Sequence, residues 1–390
     1  MDEQPAVAGP GVTAPGSGPA PRLVALDAFR GLTMASMVFV NNPGDWGHVY
    51  APLLHARWDG WTPTDLIFPF FLFIVGVSMT LSRSTMGAWT RILRRSAIIF
   101  GLGLFLAGFP YFRLATIRIP GVLQRIAVCY LAAAFLYRWT APAGSDSANA
   151  LRHAVRLLLW AVGLTLGYWL IMAFVPPPGG VAGDLSPSGN LGAYLDRMIF
   201  GPHLWKSSKT WDPEGLLSTV PAVGTTLLGG VAGIWLRSSQ PVGRKAAWLA
   251  LAGVAGMLVG GAWNLVFPIN KSLWTGSYVW FTAGGAAVTL AACVWLIDGL
   301  GWKAWSKPLV ILGLNAITLF VLSGLIAKSL GLIKLSVGDK TVSLGAWLYV
   351  SWFVPLGSPK NTSLLYAAVN LLVLFGILYV LYRRRIFLKA

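Results

Sequence analysis

The chain has 390 residues, with 30 Lys and Arg against 13 Asp and Glu (formal charge +17), 56% hydrophobic residues and only 11% charged ones. Soluble domains carry roughly 25% charged residues, so the composition excludes a cytosolic globular protein. The 19 Trp and 45 Gly fit the aromatic belts and close helix packing of membrane proteins instead.

The basic residues are dispersed in short stretches between apolar runs, so the high pI points to membrane topology and no nucleic-acid partner is expected. Residues 1–22 are rich in Pro, Gly and Ala, carry Asp2 and Glu3, and lack the basic start and apolar core of a signal peptide. They read as a disordered cytoplasmic tail ahead of a single membrane domain, 23–390.

A hydrocarbon core about 30 Å thick needs roughly 20 apolar residues per helix. Ten stretches qualify: 23–42, 64–82, 91–109, 119–138, 153–175, 215–236, 246–267, 273–297, 308–328 and 363–382. The expected fold class is therefore an all-α integral membrane protein, a bundle of about ten transmembrane helices with an outer-side loop cap. An eleventh stretch, 342–355, is about fifteen residues long and ends in Pro-Leu-Gly, which suits an interfacial or re-entrant piece.

Cytoplasmic loops hold the excess of Lys and Arg. With the N-terminus inside, that side receives Arg83, Arg91, Arg94 and Arg95, then Arg138, Arg152 and Arg156, then Arg237, Arg244 and Lys245, then Lys303 and Lys307. Ten spans also return Arg383, Arg384, Arg385 and Lys389 to it. The loop 43–63, the turn 113–118 and the Pro/Gly-rich stretch 176–214 then face outward, the last long enough to form a cap.

Ionisable groups inside spans are expensive and are paired or functional. Asp27 and Arg30 share a helix face and can neutralise each other. Pro120 and Gly121 suit a helix entry, and Gln124 and Arg125 lie one turn deeper; Arg125 then binds an anionic ligand or pairs with Asp65 or Asp212. Asn264, Asn315 and Asp298 read as helix–helix hydrogen-bonding groups.

Of the four histidines, His153 sits among basic topology residues, while His48 and His203 fall in outer loops that favour a solvated ring. His55 lies in Leu54-His55-Ala56-Arg57-Trp58-Asp59-Gly60-Trp61, leading into Thr64-Asp65, and an imidazole at a bundle mouth suits proton or acyl transfer. Asp59 could meet His55 at i+4 only if the stretch were helical, which Gly60 opposes. The motifs of serine hydrolases, P-loop NTPases and zinc proteases are missing, and His48 with His55 is too unspecific to imply a metal, so no metal is expected. Cys129 and Cys293 both sit in apolar runs, where Cys is a packing residue.

These segments resemble the heparan-α-glucosaminide N-acetyltransferase family. The resembling stretches are Leu26-Asp27-Ala28-Phe29-Arg30-Gly31, Met37-Val38-Phe39-Val40-Asn41, His55-Ala56-Arg57-Trp58-Asp59-Gly60 with Asp65-Leu66-Ile67-Phe68-Pro69, Arg118 through Arg125, Asp212-Pro213-Glu214-Gly215, and Asn270 through Tyr278. Asp59 stands where the animal pattern has Asn.

The resemblance implies transfer of acetyl from cytoplasmic acetyl-CoA, the co-substrate, to the amino group of a glucosamine-type sugar on the outer side. His55 would be acetyl acceptor or general base, with Asn41 stabilising the developing oxyanion. Arg118, Gln124, Arg125 and Lys271 are then candidates for holding acetyl-CoA, and Asp65, Asp212, Glu214 and Trp274 for the sugar. A homodimer in a bacterial inner membrane, with both termini cytoplasmic, completes the expectation. The competing reading is a secondary transporter of a sugar or acyl donor, with Arg125, Asp212 and Glu214 along its path; the chain shows no matching pair of broken helices in its two halves.

Overall fold

The computed structural model describes residues 23–82, 85, 87–142 and 147–388. The expected tail 1–22, Arg83 and Lys389 lie outside the described residues. Long apolar runs satisfy their backbone groups in lipid only as helices or closed barrels. In chain order the helices are α1 (Val24–Asn41), α2 (Ile67–Leu81), α3 (Trp89–Gly108), α4 (Val122–Trp139), α5 (Ser147–Phe174), α6 (Leu191–Phe200) and α7 (Thr219–Leu236). They continue as α8 (Val242–Trp263), α9 (Gly276–Cys293), α10 (Lys307–Leu314), α11 (Ala316–Leu332), α12 (Leu344–Leu348) and α13 (Pro359–Arg383). One antiparallel hairpin, β1 (Lys334–Val337) with β2 (Lys340–Ser343), precedes α12.

The all-α membrane architecture holds, and by length and composition alone fewer than ten of the described helices qualify as spans. Among the described residues seven helices are long and apolar enough to cross a bilayer: α1, α2 with its leading turn, α5, α7, α8, α9 and α13. The pair α10–α11 makes eight if counted as one span, but it is bent by 79° at Asn315, where the sequence reads as the straight span 308–328. Asn315 holds the break by its side chain, which donates to the Ile386 carbonyl at 3.2 Å and accepts from the Leu388 N–H at 3.0 Å. Helices α3 and α4 lie at the third and fourth expected spans but outside the seven; α3 carries Arg91, Arg94 and Arg95, and α4 carries Arg125 and Arg138. The stretch 342–355 joins the hairpin to the short apolar segment Leu344–Leu356. At 1.5 Å per residue that segment reaches about 20 Å, too short to span.

Burial separates the helices into inner and outer. About 72% of the spanning window of α2 and of α7 is buried, against 17% for α13. The outward faces of α8 and α13 still carry Leu251, Leu258, Leu372 and Val373, all exposed. Apolar side chains on such a face have lipid as their solvent.

The bonds between loops show which connections share an end. Gly60 N–H donates to Ile269 O at 2.7 Å, Gly44 N–H to Ser363 O at 3.3 Å and Ile119 N–H to His203 O at 3.0 Å. Trp58 adds a bond from its indole to Leu185 O at 2.9 Å. The connections α1–α2, α3–α4, α5–α7, α8–α9 and α11–α13 thus gather at one mouth. At the other end Arg138 donates to Gly87 O, Arg156 to Thr140 O and Arg237 to Thr80 O.

Backbone contact at two glycines sets how closely α2 and α7 approach. A Cβ on Gly76 would stand 1.9 Å from Thr226 O, and one on Gly229 would stand 2.0 Å from Phe73 O. Small residues permit such approach in membrane bundles. Gly229→Ala should therefore force the two central helices apart at a cost of about 1–3 kcal/mol, read as a lowered Tm in detergent; an unchanged Tm would contradict this close packing.

Candidate active site at the mouth of the bundle

The loop between α1 and α2 carries His55 and ends in the single helical turn Pro63–Leu66. Thr62 caps that turn: its backbone N–H donates to Asp65 Oδ2 at 3.0 Å, and its hydroxyl donates to Leu54 O at 2.6 Å. The reciprocal cap fixes the Asp65 carboxylate with its side chain 1% exposed. Oδ2 also accepts from Ala56 N–H at 2.9 Å, while Oδ1 stands 2.6 Å from Nδ1 of His55. Tyr278 on α9 locks the turn by donating to the Asp65 carbonyl at 2.5 Å.

A carboxylate on Nδ1 holds the imidazole proton there and leaves the Nε2 lone pair open. The His55 side chain is half exposed, so this nitrogen is within reach from outside. Lys271, from the α8–α9 loop, places Nζ 2.9 Å from Nδ1, 3.3 Å from Nε2 and 3.4 Å from Asp65 Oδ1. With Nζ nearly equidistant from the two ring nitrogens, Lys271 lies against the face of the imidazole, and the in-plane Nε2 lone pair stays open. Burial pushes the Lys271 ammonium below its usual range, and the pull of Asp65 and Glu214 restores only part of it.

Lys271 is presented by a tight turn. Trp274 N–H donates to Lys271 O at 3.1 Å and Thr275 N–H to Asn270 O at 3.2 Å. Asn270 is fully buried, accepts from Leu273 N–H at 2.9 Å and donates to Asp59 Oδ1 at 3.1 Å. Trp274 takes a φ of +52°, a strained value for a bulky residue. Its wholly buried ring packs against Phe68 and Tyr278 and bonds Thr225 at 3.1 Å.

A second charged group lies against the cap. Arg118 grips Asp212 with two bonds, at 2.9 Å and 2.5 Å, and reaches Glu214 at 2.5 Å. Burial works against this guanidinium's charge, but the hydrogen bond and field of the two carboxylates outweigh it and raise its pKa. Beneath it the wholly buried Arg125 donates through Nη2 to Gly215 O at 3.0 Å and Ser218 Oγ at 2.5 Å, and lies 5.1 Å from the Trp274 ring. Its Nε and Nη1 have no hydrogen-bond partner. Arg125 therefore pairs directly with neither Asp65 nor Asp212, contrary to that branch of the sequence reading.

The expected residues thus fall into three sets. His55, Asp65 and Lys271 meet; Arg118, Asp212 and Glu214 meet; Trp274, Gln124 and Arg125 are buried within the bundle. Asn41 ends α1 on an exposed position and forms no hydrogen bond with His55. Asp59 faces Asn270, so the acid that serves His55 is ten residues away and not four. Among the described residues no group of three or more His, Cys, Asp or Glu side chains is placed to hold a metal ion.

Asp196 in α6 was not visible as a site residue in the sequence. Its carboxylate accepts from Leu216 N–H at 2.9 Å and from Asp212 N–H at 3.4 Å, shaping the turn that carries Asp212 and Glu214. Burial pushes its pKa up to about 6 from 3.8.

The folded-state pKa lies above the unfolded one, so this group's contribution to stability is fully present below about pH 4 and is lost as pH rises through 6. The loss is about 3 kcal/mol. Melting temperature should fall across that window in the wild type and should change less in Asp196→Asn; equal slopes would reject the assignment.

Comparison with known proteins gives a consistent set of matches. The family model for Heparan-alpha-glucosaminide N-acetyltransferase, catalytic, matches residues 22–146, a segment holding Asn41, His55, Asp65 and Arg118 through Arg125. The Mus musculus Heparan-alpha-glucosaminide N-acetyltransferase is 31% identical over 352 residues, covering 77% of this chain and 53% of the relative. The Homo sapiens protein of the same name is 31% identical over 353 residues, covering 77% and 52%. The chain spans about half the length of these relatives.

Proposed function

We propose that this chain, which belongs to the heparan-alpha-glucosaminide N-acetyltransferase family, transfers acetyl from acetyl-CoA to the amino group of a glucosamine-type sugar. The observation that carries the reading is the buried Asp65 carboxylate set 2.6 Å from Nδ1 of a half-exposed His55. That pair is a general base, or a nucleophile, with its tautomer fixed and Nε2 open to substrate.

In the simplest route Nε2 removes the proton from the sugar's attacking amine and returns it to the departing CoA thiolate. Asp65 stabilises the imidazolium formed between these events. In the covalent variant Nε2 takes the acetyl group first. The exposed Asn41 side chain is our candidate to stabilise the oxyanion. We assign the Arg118–Asp212–Glu214 cluster to the sugar's hydroxyls, because carboxylates already held by a guanidinium still offer acceptor capacity. The donor's phosphates are assigned to basic side chains of the bundle.

Basic residues concentrated at the end opposite His55 support placing that end in the cytoplasm and the His55 mouth outside. We place the protein in a bacterial inner membrane with both termini inside. Acetyl-CoA then approaches from the basic end, and the acceptor from the mouth.

Purified protein in detergent, given radiolabelled acetyl-CoA and a panel of amino sugars, should yield N-acetylated sugar. His55→Ala should abolish turnover, and Asp65→Asn should lower kcat by about 10² or more while leaving the binding of acetyl-CoA little changed. Undiminished turnover in both variants would remove the pair from the chemistry.

A further inference from the structure

Lys271 is a primary amine lodged against the imidazole that the transferase reading makes the base. Its Nζ lies 2.9 Å from Nδ1 and 3.3 Å from Nε2 of His55, so a small shift of the side chain brings it to the open nitrogen. The turn 270–275 that carries it is pinned by Asn270 on one side and by the buried Trp274 on the other. The Nζ is also desolvated, and a lysine so placed loses its proton more readily than one in water.

We propose that Lys271 is a self-acetylation site: when acceptor is absent, the enzyme transfers acetyl from acetyl-CoA to Nζ of Lys271 and closes its own active centre. The inference rests on the acetyltransferase reading above. Neutral Nζ attacks the thioester carbonyl, its C–N bond forms and the C–S bond breaks. The proton lost from nitrogen passes to Nε2 of His55 and from there to the thiolate, which leaves as CoA thiol, so no further reactant is needed. The product is an amide, which His55 cannot reverse as it could an acetyl-imidazole.

The consequence is local. Acetylated Nζ has neither charge nor basic lone pair, so Asp65 loses the cation at 3.4 Å. The added acetyl group fills the space beside Nε2 that an incoming amine requires. An amino sugar occupying the mouth displaces Nζ and protects it, so the mark records acetyl-CoA supplied without acceptor.

Purified full-length protein is incubated with acetyl-CoA alone, with acetyl-CoA plus excess glucosamine, and with neither. Each sample is treated with hydroxylamine, digested and read by peptide mass spectrometry. The expected result is one hydroxylamine-resistant acetyl group on the Lys271 peptide with acetyl-CoA alone, several-fold less with glucosamine, and residual sugar turnover falling in proportion to the occupancy. Lys271→Arg should carry no acetyl group on that peptide, and His55→Ala, checked for a monodisperse elution profile, should show at least tenfold slower labelling. If His55→Ala does not fold, the protection by glucosamine in wild type decides alone.

Sugar acetylated with Lys271 unmodified would overturn this inference and leave the transferase reading standing. Labelling equally fast in His55→Ala, or unaffected by glucosamine, would also overturn it, because the acetylation would then be ordinary chemical modification. Neither sugar nor Lys271 labelled would overturn both.

Discussion

The mouth of the bundle depends on one buried carboxylate. Asp65 sits in a single helical turn with almost no exposed surface, and burying an unpaired charge costs several kcal/mol. It is tolerated because Thr62, Ala56 and His55 each donate to it, and Lys271 stands nearby. The same contacts define the geometry of the candidate site. Thr62 and Ala56 fold the loop around the carboxylate, His55 is held in one tautomer, and Tyr278 ties the turn to α9. Positioning the imidazole and satisfying the buried charge are one physical requirement met by one set of bonds.

Helix packing supplies the platform for that arrangement. Glycines at 76 and 229 let α2 approach α7 at backbone contact, and α2 is the helix that the Asp65 turn opens. The bundle then brings the α8–α9 loop, with Lys271, and the long α5–α7 connection, with Asp212 and Glu214, to the same end. Trp58 couples the two halves of the site, since its indole bonds Leu185 of the cap and its ring meets Trp211 at 5.0 Å.

Much of this was legible in the sequence because lipid imposes a length rule and a polarity rule. The apolar runs mark their helices within a few residues, and an imidazole in an aromatic loop marks the mouth. The pairing was not legible. Asp59, four residues from His55, is the nearer acid along the chain, yet Gly60 at φ +91° breaks the local path and turns Asp59 toward Asn270. Asp65 reaches His55 because a capping turn folds the loop back, a feature that depends on three-dimensional closure. Lys271 comes from over 200 residues away, and its place beside His55 has no spacing signature. The bend at Asn315 was equally hidden, since the break contains neither Pro nor Gly.

Charge balance across the site explains how Arg125 persists with Nε and Nη1 unpaired. A buried guanidinium with no counter-ion would be too costly. Arg118 and Arg125 bring two positive charges, and Asp212 and Glu214 bring two negative ones. Arg118 alone makes the direct contacts. Arg125 is compensated at one remove by Glu214, Asp212 and Asp196, and by the face of Trp274 at 5.1 Å. Its bonds to Gly215 O and Ser218 Oγ attach it to the turn that Asp196 shapes from the other side. Asp196, whose pKa is raised to about 6, adds a third carboxylate to the cap-side cluster once it ionises, while Lys271 is set against Asp65 at the His55 centre. The two groups are coupled, because the field of Glu214 reaches Lys271 beside His55.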